Sequence, residues 1–140
     1  VKWKADIESL EGAKPEFAIV ADDGLEMAKA FDMLPAEAVL PDGRTPADSA
    51  TVRSVYIVGP DKKLKLSMTY PMTVGRNFSE ILRALDALQT SAKENIATPA
   101  NWSVGDDIVV PVAVSDADAI AKYGAIETKL PYLRTAKLSA

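Results

Sequence analysis

Tyr70-Pro71-Met72-Thr73-Val74-Gly75-Arg76-Asn77-Phe78 is the stretch whose residue types and spacing suit chemistry best. It leads from the end of a predicted strand, through a Pro/Gly turn, onto a predicted helix start. Arg76 stands at the mouth of that turn. The first N–H groups of a helix have no intrahelical partner, and a guanidinium beside them suits an anionic or strongly polarised ligand. The acid pairs Asp22/Asp23 and Asp106/Asp107 have the right chemistry for a hard cation or an acid/base pair. Each pair borders a regular element, where capping or a solvated turn is the expected role. A carboxylate hydrolase needs two acids converging on one pocket, which adjacent acids at element ends do not provide. Arg53 and Arg83 fall on regular elements and read as solvated or ion-paired. Trp3 and Trp102 read as packing anchors rather than stacking platforms.

Two absences narrow the chemistry. The 140 residues include no cysteine and no histidine. The chain therefore supplies no disulfide, thiolate nucleophile or imidazole base, and carboxylates alone rarely build a zinc site. No metal and no cofactor are expected. A net charge of −4 argues against nucleic acid and anionic membrane surfaces as main partners. No apolar run approaches the roughly 18 residues of a membrane span.

The elements that must position Arg76 follow from periodicity. Trp3, Ile7 and Leu10 have helical spacing, so residues 2–10 read as a helix ended by Gly12 and Pro15. The chain opens on Val1 inside that helix, and a piece of a longer protein is the expectation. Phe17–Ala21 reads as a short buried strand. Asp23 with Glu26 reads as the capping start of a helix through Leu34, with Met27, Phe31 and Leu34 on one side. Residues 35–50, rich in proline, read as a long loop. Thr51–Val58 reads as a strand buried on both faces. Gly59-Pro60-Asp61-Lys62 is a turn, and Lys63–Thr69 alternates strictly, so the two strands form a hairpin. Asn77 caps the next helix with Glu80 completing the box. Phe78, Ile81, Leu82, Leu85 and Leu88 form its apolar stripe.

Beyond Lys93 the pattern changes. Thr98-Pro99-Ala100-Asn101-Trp102 is a turn with an aromatic anchor, and Ile108–Val114 is a strand broken by Pro111. Ser115 with Asp118 caps a short helix to Tyr123, stopped at Gly124. Residues 125–140 read as an extended tail. This segment has too little apolar surface for a core of its own and is expected to pack on the first part or on a partner subunit.

Four pieces together carry a family resemblance. Gly59-Pro60-Asp61-Lys62-Lys63-Leu64-Lys65-Leu66, Tyr70-Pro71 with Gly75-Arg76-Asn77-Phe78, Ala97-Thr98-Pro99-Ala100-Asn101-Trp102, and Gly105-Asp106 resemble 1-Cys peroxiredoxins of the peroxiredoxin-six type. The resemblance spans essentially the whole chain. It implies an α/β architecture, the later part of a thioredoxin-like fold over residues 1–92, with a C-terminal peroxiredoxin dimerisation extension over residues 93–140. It also implies a cytoplasmic antioxidant enzyme acting as a homodimer. In such enzymes a cysteine in an upstream loop attacks a hydroperoxide, becomes a sulfenic acid and is restored by an external thiol reductant. Arg76 matches an arginine that hydrogen-bonds the peroxide and the thiolate. The nucleophile would belong to a missing N-terminal half. The alternative is a non-catalytic dimerisation or binding module on the same scaffold. Asn95 departs from the family, which often places a second basic residue there near the active site. The tail is also shorter than usual, and the upstream serine and histidine credited with phospholipase activity in some members have no counterpart here.

Overall fold

The structure, a computed structural model, describes residues 2–34 and 50–138. The predicted 35–50 loop lies almost wholly outside the described residues. The chain divides into two units, Val1–Val52 and Arg53–Ala140.

In the first unit, α1 runs Lys2–Glu11, and its chain turns at Gly12 with φ of 67°. No α1 residue is buried, and Trp3 and Leu10 are exposed, so the helical spacing is right but its apolar face stays open. Phe17–Ala21 does not form a strand. A strand needs a neighbour for its backbone groups, and among the described residues none pairs with this one; Phe17, Ile19 and Val20 are exposed. The following helix, α2, covers only Glu26–Ala30. Its N-cap residue is Leu25, in left-handed geometry, rather than Asp23, and the first-turn N–H groups of Met27 and Ala28 donate to the Asp22 carboxylate at 3.0 Å and 2.8 Å. The helix stops before Leu34 because Phe31 leaves helical geometry and Asp32 turns left-handed with φ of 51°. Leu25, Ala28 and Leu34 form the small core of this unit, whereas Met27 and Phe31 stay exposed.

The second unit opens with a hairpin of β1 (Arg53–Val58) and β2 (Leu64–Tyr70). The register sets Arg53 opposite Tyr70 and Val55 opposite Met68, with an irregularity near Val58. The connecting turn closes through Lys62 N–H to Gly59 C=O at 2.9 Å, and Lys65 pairs with Asp61 at 2.8 Å. That contact holds the Asp61 carboxyl below its ordinary range. Burial of β1 on both faces is not found: its middle residues are half-buried and Val58 is exposed, because among the described residues the sheet has two strands only.

Helix α3 spans Phe78–Glu94. Its most buried positions are Ala84 and Ala87, while Phe78 and Leu82 of the predicted stripe are exposed. Small residues allow close approach, and Ala87 joins a core made with Ile96, Trp102, Ile108, Val110, Ala119 and Ala136. Beyond α3 come β3 (Ile108–Val109), α4 (Asp116–Tyr123), β4 (Ile126–Leu130) and β5 (Leu133–Ala136). The predicted extended tail is thus a hairpin, and with β3 it makes an antiparallel sheet in the order β3-β5-β4. The segment beyond Lys93 supplies six of the seven residues of that buried cluster, so it does build a core, with α3 contributing Ala87. Ser115 caps α4 by accepting from Asp118 N–H at 3.1 Å, and Gly124 ends it with φ of 83°.

Arg134 on β5 locks this region. It is 7% exposed and donates to the carbonyls of Pro111 at 2.8 Å and Val114 at 2.7 Å, while its other nitrogen meets the Asp116 carboxylate. Truncating it strands two carbonyls and removes packing. Arg134→Ala should lower unfolding free energy by about 2–4 kcal/mol, read as a shifted urea midpoint.

Candidate functional site

The site begins where β2 ends. Pro71 offers no N–H to continue the ladder, and the chain turns with Val74 N–H donating to Pro71 C=O at 2.9 Å. Asn77 then takes extended backbone geometry, and its side-chain oxygen accepts from Glu80 N–H at 3.1 Å. Arg76 is therefore fixed one residue before the cap. Its guanidinium lies over the Phe78 ring, 5.7 Å from the centroid, a cation–π contact.

The capping box is completed on one side only. The Glu80 carboxylate turns to Arg83, accepting from Nε at 2.6 Å and Nη2 at 2.8 Å, and this hydrogen bonding lowers the Glu80 pKa. Arg83 also donates Nη1 to the Trp102 carbonyl at 3.0 Å. The sequence reading of Arg83 as ion-paired holds, and Trp102 is the anchor expected, 2% exposed with its indole N–H donating to Asp106 C=O at 3.2 Å.

An open depression of about 350 Å³ lies over the turn. Arg76, Gly75 and Phe78 line one part of it, Met72 and Val74 another, and Arg53 from the start of β1 completes it. Arg53 is the residue that sequence reasoning missed. It lies 23 positions before Arg76, and only the hairpin register, which sets Arg53 beside Tyr70, brings it to the same place. No carboxylate lines the depression, and neither arginine has an ion-pair partner among the described residues. Two uncompensated guanidiniums with fixed forks suit a small anion or a polarised oxygen–oxygen bond.

Other candidates stay apart. Asn95 caps the far end of α3 in left-handed geometry with φ of 53°. A helix of 17 residues is about 26 Å long, so within this chain Asn95 does not adjoin Arg76. Asp106 accepts from Ser103 N–H at 2.9 Å, and Asp22 accepts from first-turn N–H groups of α2. Among the described residues no cluster of three or more metal-ligating side chains is found, and no helix is long and apolar enough to cross a membrane.

Comparison with known proteins places the chain in a family. The family model described as the C-terminal domain of 1-Cys peroxiredoxin matches residues 87–125. The mitochondrial peroxiredoxin PRX1 of Saccharomyces cerevisiae is 43% identical over 139 residues, covering 97% of this chain and 52% of that protein. A solved structure of yeast mitochondrial 1-Cys peroxiredoxin, concerned with thiol resolving through glutathione and thioredoxin systems, superposes with a TM-score of 0.82 at 41% identity, covering 97% of this chain and 63% of that one. Peroxiredoxin 6 of Arenicola marina, in a cysteine-to-serine variant, gives 0.80 at 42% identity, covering 99% and 64%. The fold is thus α/β of the thioredoxin-like class. The chain belongs to the 1-Cys peroxiredoxin family. It spans about half the length of the curated relatives it matches.

The depressed Glu80 pKa gives a signed pH effect. A carboxylate whose pKa is lowered on folding adds stability above its ordinary value of 4.5 and loses it as pH falls through the folded value. Glu80→Gln should therefore lower the urea midpoint at pH 7, and the difference should shrink as pH falls below 4.5, flattening the acid limb.

Proposed function

We propose that this chain is the arginine-bearing part of a thiol-dependent peroxidase that reduces hydrogen peroxide and alkyl hydroperoxides. The observation that carries the reading is the convergence of Arg53 and Arg76 on one depression with no neutralising carboxylate among the described residues. The two guanidiniums bind the hydroperoxide and stabilise negative charge moving onto the departing oxygen. They also favour the thiolate form of a cysteine brought beside them, since a nearby cation lowers a thiol pKa. That cysteine is not among these residues and would come from an N-terminal half of the same protein. Its thiolate attacks the terminal oxygen, leaving a sulfenic acid that an external thiol reduces.

Residues 1–92 form part of the thioredoxin-like domain in this reading, and residues 93–140 form an extension that pairs two copies as a homodimer. Consumption of a thiol reductant fits a reducing compartment such as the cytoplasm, and removal of peroxide is an antioxidant role. No cofactor is required, because the thiolate does the oxygen chemistry itself.

In the full-length protein, Arg76→Ala and Arg53→Ala should each slow peroxide reduction about 10²–10³-fold, followed by stopped-flow fluorescence or coupled thiol consumption. Arg76→Lys should recover part of the rate, since charge returns without the fork. An unchanged rate in either alanine variant removes that arginine from the site. The 140-residue chain alone, having no cysteine, should consume no peroxide in a thiol-dependent way above buffer.

A further inference from the structure

Met72 lies on the turn between β2 and α3 and lines the same depression as Arg53 and Arg76. Its side chain is open to solvent, with 46% relative exposure. Methionine is the only sulfur residue in the chain, at four positions. A thioether beside two cations that hold a hydroperoxide is placed to compete for its terminal oxygen.

We propose that Met72 is a peroxide-directed oxidation site, converted to methionine sulfoxide faster than its exposure alone dictates. A lone pair on Sδ attacks the terminal oxygen of the hydroperoxide. The S–O bond forms as the O–O bond breaks, and sulfur loses two electrons. The other oxygen leaves with the bonding pair and takes the proton of the terminal oxygen, giving water or an alcohol. Arg53 and Arg76 assist by hydrogen-bonding the oxygen on which negative charge grows, and neither loses a proton. The thioether needs no activation by a base, because it carries no proton to remove. This inference rests on the reading of the two arginines as peroxide-holding groups.

Met27 provides an internal reference. It stands on α2 with 47% relative exposure, so accessibility alone predicts equal oxidation of the two residues. The purified full-length protein, freed of thiol reductant, is treated with excess hydrogen peroxide, and sulfoxide at each methionine is followed by peptide mass mapping. Met72 should oxidise about three- to tenfold faster than Met27, the range expected for one added hydrogen bond of ordinary net strength. The excess should disappear in Arg53→Ala/Arg76→Ala and should be absent with chloramine-T, an oxidant that transfers no peroxide oxygen. Equal rates in the unmodified protein overturn the proposal. So does an excess that survives loss of both arginines, or one that chloramine-T reproduces. Failure of the peroxidase reading is separately visible, as unchanged thiol-dependent peroxide reduction in the single arginine variants.

Discussion

The position of Arg76 depends on a run of hydrogen bonds that ends on a buried tryptophan. Asn77 holds the N–H of Glu80, the Glu80 carboxylate grips the fork of Arg83, and Arg83 reaches the carbonyl of Trp102. Each link is ordinary in strength, and the exposed ion pair by itself would contribute little. What gives the run its value is the far end. Trp102 sits in a close-packed cluster with Ile108, Val110 and Ala119 and cannot shift without disturbing that packing. The first turn of α3 is therefore referred to a rigid body, and the residue before its cap inherits that reference. A site built at a helix start needs such support, because helix ends fray unless they are tied down.

The same helix explains why small side chains sit where larger ones were expected. The leucine-rich stripe of α3 is amphipathic by pattern, yet Ala84 and Ala87 are its most buried positions. Alanine brings the helix axis close enough for Arg83 to span from its own turn to the Trp102 carbonyl. Leu82 and the hairpin residues Val58 and Leu64 retain exposed apolar surface. A two-stranded hairpin is marginal on its own, whereas the cluster that Ala87 joins includes Ile108 and Ala136 of the three-stranded sheet.

Much of this was legible in the sequence, and what was not has a physical reason. The hairpin, the Asn77 and Ser115 caps, the Trp102 turn and the stop at Gly124 were readable because each is decided within a few residues. The Phe17–Ala21 strand was not, because an apolar run between breakers states a preference for burial but not a partner. Asp23 is not the α2 cap because the helix starts after left-handed Leu25, which leaves Asp22 to accept from the first-turn N–H groups. Arg134 gave no local signal, since its acceptors on Pro111 and Val114 lie 23 and 20 positions away. Arg53 looked like any strand-edge cation until the register placed it beside the turn. Long-range placement, rather than residue type, is what sequence pattern cannot supply.

That placement changes the electrostatic meaning of Arg76. A single arginine beside a helix start is usually neutralised by a neighbouring acid, and this chain has 20 acidic residues against 16 basic ones from which to supply it. None among the described residues lines the depression. Two guanidiniums sharing one hollow repel each other, and their mutual cost is relieved when an anion, or a group becoming anionic, enters between them. On the proposed reading, a surface that favours developing negative charge over a neutral ground state lowers a barrier rather than merely binding a ligand. The absence of an acid among the described residues of this hollow then matters as much as the arginines themselves.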